Sequence, residues 1–109
     1  MRNNVFSLIG KISRQRGFGA EAAVSMAFAE MKKGGEIASF YKTARRADKF
    51  QGIDFFVIRT NGDKVPFQVK SSFSGAMEHQ KKFPGVPVIV VKSQDDTETV
   101  KSKIRGTLK

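Results

Sequence analysis

Apolar residues recur along this chain with two different periods, and the change between them marks out its elements. Val5, Leu8, Ile9 and Ile12 stand at i, i+3, i+4 and i+7, one face of a short amphipathic helix. Gly17 and Gly19 interrupt the pattern. Residues 20–33 are rich in strong helix formers and predict a second helix. Glu21 lies in its first turn and Lys32 and Lys33 in its last, as the helix dipole favours, and Gly34-Gly35 ends it.

From there the period shortens. Residues 36–43 form a candidate strand, and the polar, basic residues 44–51 predict a loop. Residues 53–59 are aromatic or β-branched on both faces, which predicts a central strand. Thr60-Asn61-Gly62-Asp63 is a turn, and residues 64–71 return as the second arm of a hairpin. Pro66 has no N–H to donate, so a bulge or a gap in pairing is expected near it. Residues 74–83 predict a short helix broken by Pro84-Gly85, residues 86–91 a buried strand, and residues 95–105 a final helix started by Asp95 or Asp96. The order is α, β, β, β, α, β and α. Three strands suit an antiparallel meander, and the helical crossover makes the last strand parallel to the third. A three-layer α/β/α domain with a mixed central sheet is expected.

Composition narrows the class. The 109 residues are 39% hydrophobic, enough for one core, so residues 1–109 are read as a single domain. Twenty Lys and Arg against ten Asp and Glu give a formal charge of +10, which points to a polyanionic partner. The chain has no cysteine, which excludes disulfide scaffolds, thiolate metal sites and cysteine nucleophiles. Its one histidine, His79, reads as a surface residue of a helix. No apolar run reaches the length of a membrane span, and the N-terminal pattern does not read as a signal peptide, so a cytoplasmic location is expected.

Polar residues then stand out where apolar ones would be easier to place. Asp54 opens the central strand, Gln68 and Lys70 share one face of the next, and Glu21 sits in an Ala-rich helix. Each has a plain structural use: a strand-end turn residue, a solvated edge lysine, a charge complementing the helix dipole. The hairpin loop decides whether they meet. With a two-residue Asn61-Gly62 loop, Asp54 faces Val69 and points away from Gln68 and Lys70. With Thr60-Asn61-Gly62 as a three-residue loop and Gly62 in a G1 bulge, Asp54 faces Gln68. The residues allow both. Phe55, Phe56 and Phe67 read as core. The basic stretch around Tyr41, Lys42, Arg45, Arg46 and Lys49 reads as a phosphate-contacting loop, or as a solvated one.

The pattern Gly17-Phe18-Gly19-Ala20-Glu21, Gly52-Ile53-Asp54 and Gln68-Val69-Lys70-Ser71-Ser72 resembles the PD-(D/E)xK nuclease superfamily, and within it the archaeal-type Holliday junction resolvases. The resemblance spans residues 17–91 and lies in the order and spacing of short motifs. It departs at Gln68, where the family pattern has Glu. It implies a restriction-endonuclease-like αβββαβ core and a metal-dependent endodeoxyribonuclease, acting on branched DNA as a homodimer. It further implies Mg²⁺ or Mn²⁺ held by Glu21, Asp54, Gln68 and the Val69 carbonyl, with Lys70 beside the attacking water. Lys42, Arg45, Arg46, Lys49, Ser71 and Ser72 would then contact the nucleic acid. Mg²⁺ takes hard oxygen ligands and lowers the pKa of a bound water, which suits phosphodiester hydrolysis. The N-terminal helix, with Val5, Phe6, Leu8, Ile9 and Ile12, is a candidate dimer surface or ordinary core. Two rival readings are a catalytically inactive nucleic-acid-binding protein on the same fold and a small basic RNA-binding protein.

Overall fold

The structure, a computed structural model, describes residues 19–43 and 52–109. The predicted N-terminal helix and the basic loop of residues 44–51 lie outside the described residues. The elements that follow are α1 (Ala20–Lys33), β1 (Ser39–Lys42), β2 (Phe55–Ile58), β3 (Lys64–Lys70), α2 (Phe73–Lys82), β4 (Val88–Val90) and α3 (Thr97–Leu108). The predicted order holds, but β1, β2 and β4 are shorter than expected at both ends. At the start of β1 the cause is the helix before it. The Gly35 N–H donates to the Lys32 carbonyl and the Glu36 N–H to the Met31 carbonyl, with Gly35 at φ +81°. This is a Schellman ending, and it takes up residues that alternation assigned to the strand.

The sheet has four strands in the order β1-β2-β3-β4, antiparallel up to β3 and parallel between β3 and β4. One face packs on α1 and α3. Phe28 of α1 sits at its centre, with ring centroids 5.4 Å from Phe40, 5.5 Å from Phe55 and 5.7 Å from Phe67. Ala23, Val24, Ala27, Val57, Val69, Ile89, Val100 and Ile104 complete this core. The opposite face of β3 and β4 is covered by α2, whose Gly75 lies beside the Lys70 side chain. The result is a mixed sheet between helical layers.

The hairpin adopts the three-residue loop. The Gly62 N–H donates to the Arg59 carbonyl at 2.9 Å and the Arg59 N–H to the Asp63 carbonyl at 2.8 Å, with Gly62 at φ +94°. Register then runs from Ile58 opposite Lys64 to Phe55 opposite Phe67. Beyond Phe55 the regular pairing ends, and Asp54 bonds the residues on either side of Gln68: its N–H the Phe67 carbonyl, its carboxylate the Val69 N–H. The β2–β3 ladder runs through Pro66 without a bulge, and the gap in pairing falls on the β4 side of that residue. Bonded and non-bonded pairs alternate from the Arg59–Asp63 pair, so Phe56–Pro66 is a non-bonded pair. The missing donor of Pro66 therefore faces away from β2. On its other side β4 pairs with β3 only from Gln68 onward.

Asp96 caps α3, its Oδ1 accepting from the Thr99 N–H at 2.8 Å, and α3 runs three residues beyond its expected end. Asp95 ties the preceding turn to the helix: its Oδ2 accepts from the Lys92 N–H at 2.9 Å and from Lys103 Nζ at 2.7 Å. Lys103 Nζ also donates to the Val90 carbonyl, which holds β4 in place. Burial of Asp95 opposes its ionisation, but the bonds from Lys103 and the Lys92 N–H outweigh it, so its carboxyl titrates below the ordinary value. A depressed folded-state pKa stabilises the fold above the unfolded-chain pKa, and that contribution disappears as pH falls through the folded value. Asp95→Asn is expected to unfold at lower urea concentration than the parent protein at pH 7. The difference should close on acidification below the ordinary Asp value of about 3.9.

Candidate functional site

The site begins where β2 parts from β3. The Asp54 N–H donates to the Phe67 carbonyl at 2.8 Å, and the Asp54 carboxylate Oδ2 accepts from the Val69 N–H at 2.8 Å. A side chain thus stands where the ladder would otherwise put a main-chain carbonyl. Asp54 is only 2% exposed. Within a strand the N–H and C=O of one residue point to the same edge, so the Val69 carbonyl faces the opening left by β2.

The segment carrying Asp54 is held from both sides. The Thr43 N–H donates to the Asp54 carbonyl at 2.9 Å and the Thr43 hydroxyl to the Ile53 carbonyl at 2.6 Å. From α2, His79 Nε2 bonds the Gly52 carbonyl at 2.7 Å. A carbonyl only accepts, so this nitrogen carries the proton. His79 is buried and packs on Phe83 at 5.0 Å between ring centroids, which corrects its reading as a surface residue. The tie to Gly52 turns it inward. Gly52 itself sits at φ +65°, and a Cβ there would stand 2.5 Å from the Phe83 ring and 2.6 Å from His79 Nε2. The sequence reading did not name Thr43 and did not give Gly52 or His79 this supporting role. The signal available was a glycine two residues before the candidate Asp, in a chain with one histidine.

Gln68 is buried, and its side-chain oxygen Oε1 has no hydrogen-bond partner among the described residues. Lys70 is half-exposed beside the first turn of α2. Glu21 lines a shallow pocket with Gly19, Ala20, Val69 and Ser71. Its carboxylate pairs at 2.8 Å with Lys42 of β1, and both groups are well exposed. Ser72 caps α2, its hydroxyl accepting from the Gly75 N–H at 3.1 Å. Val69 is thus the hub of the predicted set: its N–H meets Asp54, its carbonyl faces the opening, and it shares a pocket with Glu21. Gln68 and Lys70, on alternate positions, belong to the α2 side of the sheet. Arg45, Arg46 and Lys49 lie outside the described residues. Phe55 and Phe67 are core as expected. Phe56 is on the other face, half-buried and in ring contact with Tyr41, because β2 is apolar on both faces while α1 covers one.

Carboxylates alone do not build a metal site here: among the described residues no three His, Cys, Asp or Glu groups converge to hold an ion. Hard donors are available only when the Gln68 amide oxygen and the Val69 carbonyl are counted with Asp54 and Glu21. No helix of the described residues is long and apolar enough to cross a membrane. Compared with protein-family models, curated proteins and solved structures, the chain matches none.

The clamp on Asp54 predicts a steep penalty at Gly52. Gly52→Ala adds both a strained φ and a steric clash, and should lower the unfolding free energy by roughly 3 kcal/mol. Gly62→Ala, where a Cβ meets nothing within 4 Å, should show the strain alone. Urea unfolding at constant m-value measures both.

Proposed function

We propose that this chain is a metal-dependent endonuclease with a restriction-endonuclease-like fold, hydrolysing phosphodiester bonds in DNA, with branched DNA of the Holliday-junction type as substrate. The observation that carries this reading is the buried Gln68 Oε1 without a partner, in the residue before Val69, whose N–H binds the Asp54 carboxylate. A buried acceptor left unsatisfied costs about 1–3 kcal/mol, and a cation at that oxygen would remove the cost.

The donor chemistry suits Mg²⁺ or Mn²⁺. Asp54, the Gln68 amide oxygen, the Val69 carbonyl and Glu21 would hold the ion. Glu21 would exchange its Lys42 partner, an exposed pair contributing little. When bound, the ion supplies charge neutralisation at the phosphate and a water of lowered pKa. The protein's own part is positional. Thr43, His79 and the Val69 N–H keep Asp54 in one place. Lys70, three residues before the first turn of α2, supplies an ammonium for a phosphate oxygen and for orienting the attacking water. Two copies of the chain would cut the two strands of a junction symmetrically.

A second reading, a nucleic-acid-binding protein without activity, is favoured by the same Gln68. Its neutral amide leaves the site one negative charge short of the family pattern.

Cleavage of a labelled four-way junction across Mg²⁺ and Mn²⁺ concentrations, for the parent protein and Lys70→Ala, separates the two. The endonuclease reading expects metal-dependent cutting by the parent protein. Lys70→Ala should reduce the rate at least about 100-fold and leave junction affinity nearly unchanged, since affinity is spread over many basic residues. Binding without cutting in either metal establishes the second reading. Equal cutting by parent and variant removes Lys70 from the mechanism.

A further inference from the structure

The sheet face turned away from α1 carries an arrangement that the metal site does not use. Tyr41 of β1 pairs with Phe56 of β2, and Phe56 with Pro66 of β3. The Tyr41 and Phe56 rings lie 5.4 Å apart at 32°. Lys64 Nζ stands 4.3 Å from the Phe56 centroid and 5.4 Å from that of Tyr41. Tyr41 is 44% exposed. Helix α2 packs on β3 and β4, and among the described residues no helix covers this outer part of the face.

Cross-strand aromatic pairs stabilise sheets, and an ammonium over a ring adds a cation–π contact. Those roles account for the contacts but not for leaving the Tyr41 ring open to solvent. A flat aromatic surface with a cation at its rim matches the chemistry of a single nucleic-acid strand. A base offers a π face for the rings, and its phosphate offers an anion for the ammonium. Bases in a duplex have both faces stacked on neighbours and cannot lie on such a surface. Charge agrees with this occupant. Lys64 at the rings and Lys70 further along the same strand face make no ion pair among the described residues, whereas the acids Glu30, Glu36 and Glu98 are paired on the α1–α3 side.

We propose that Tyr41, Phe56 and Lys64 form a stacking platform for an unpaired base of single-stranded DNA. The platform rests on the reading of the chain as a DNA-binding protein, and is independent of cleavage. On binding, Lys64 leaves the ring face for a phosphate and the base takes its place.

Fluorescence anisotropy with labelled dT12 and with a blunt duplex of equal length tests this on the full chain. Tyr41→Leu keeps an apolar side chain on the strand but removes the ring, and Tyr41→Phe keeps the ring. Tyr41→Leu should weaken dT12 binding about tenfold with little change for duplex, and Tyr41→Phe should bind dT12 as the parent does. Lys64→Gln should lower the log–log salt slope for dT12 by about 0.7. Equal dT12 affinity for Tyr41→Leu and the parent overturns the platform and leaves the proposed endonuclease standing. Unchanged dT12 affinity together with loss of a dimer in sedimentation assigns the face to a second copy of the chain instead. If the parent protein binds neither dT12 nor duplex, the platform and the DNA reading both fall.

Discussion

The hydrogen bond from the Val69 N–H to the Asp54 carboxylate is the contact on which the candidate site depends. Hydrogen-bonded strands tend to continue until their donors and acceptors run out. Here a side chain satisfies the donor that a main-chain carbonyl would have taken, so β2 can leave β3 without stranding a buried N–H. The departure has two consequences. It leaves the Val69 carbonyl facing an opening, and it fixes a buried carboxylate on the residue after Gln68. Thr43 and His79 then act as side supports, because a segment leaving a sheet has lost half of its ladder and must be held by something else.

What could be read from the chain, and what could not, has separate physical causes. Element order followed from hydrophobic period because each element buries one face, as Ala23, Val24, Ala27 and Phe28 do along α1. The hairpin loop stayed ambiguous because Asn61-Gly62 suits two loop lengths, and only the bonds of Arg59 with Asp63 and Gly62 distinguish them. Pro66 brings no bulge because its missing donor faces away from β2, toward the edge that β4 joins only from Gln68 onward. His79 misled for a different reason. Its helix is short and polar, and the carbonyl that buries it belongs to Gly52, 27 residues earlier in the chain. Local pattern carries no information about such a tie.

Charge is arranged by layer. Lys101 bridges Glu30 and Glu98, and Arg105 grips Glu36 with two hydrogen bonds of 3.0 and 2.8 Å. The Arg105 bond lowers the pKa of Glu36, and the Glu98 and Glu30 bonds raise that of Lys101, so these pairs stay charged at neutral pH. Lys101 thereby joins α3 to α1, and Arg105 joins α3 to the turn that follows α1. Lys64 and Lys70 project from the other face of the sheet, the side on which Gln68 lies. A polyanion approaching this face would meet both ammonium groups.

The proposed endonuclease requires that the opening left by β2 hold a divalent cation through Asp54, Gln68 and Val69. Paramagnetic broadening of amide NMR signals by trace Mn²⁺ tests it most directly, because broadening falls steeply with distance from the ion. With the ion at this site, the Gln68 side-chain amide and the Val69 main-chain amide should broaden first, at Mn²⁺ levels that leave the Asp95 and Glu98 amides sharp. Broadening that starts at Asp95, Asp96 and Glu98, or that spreads evenly over exposed carboxylates and spares Gln68, would contradict it.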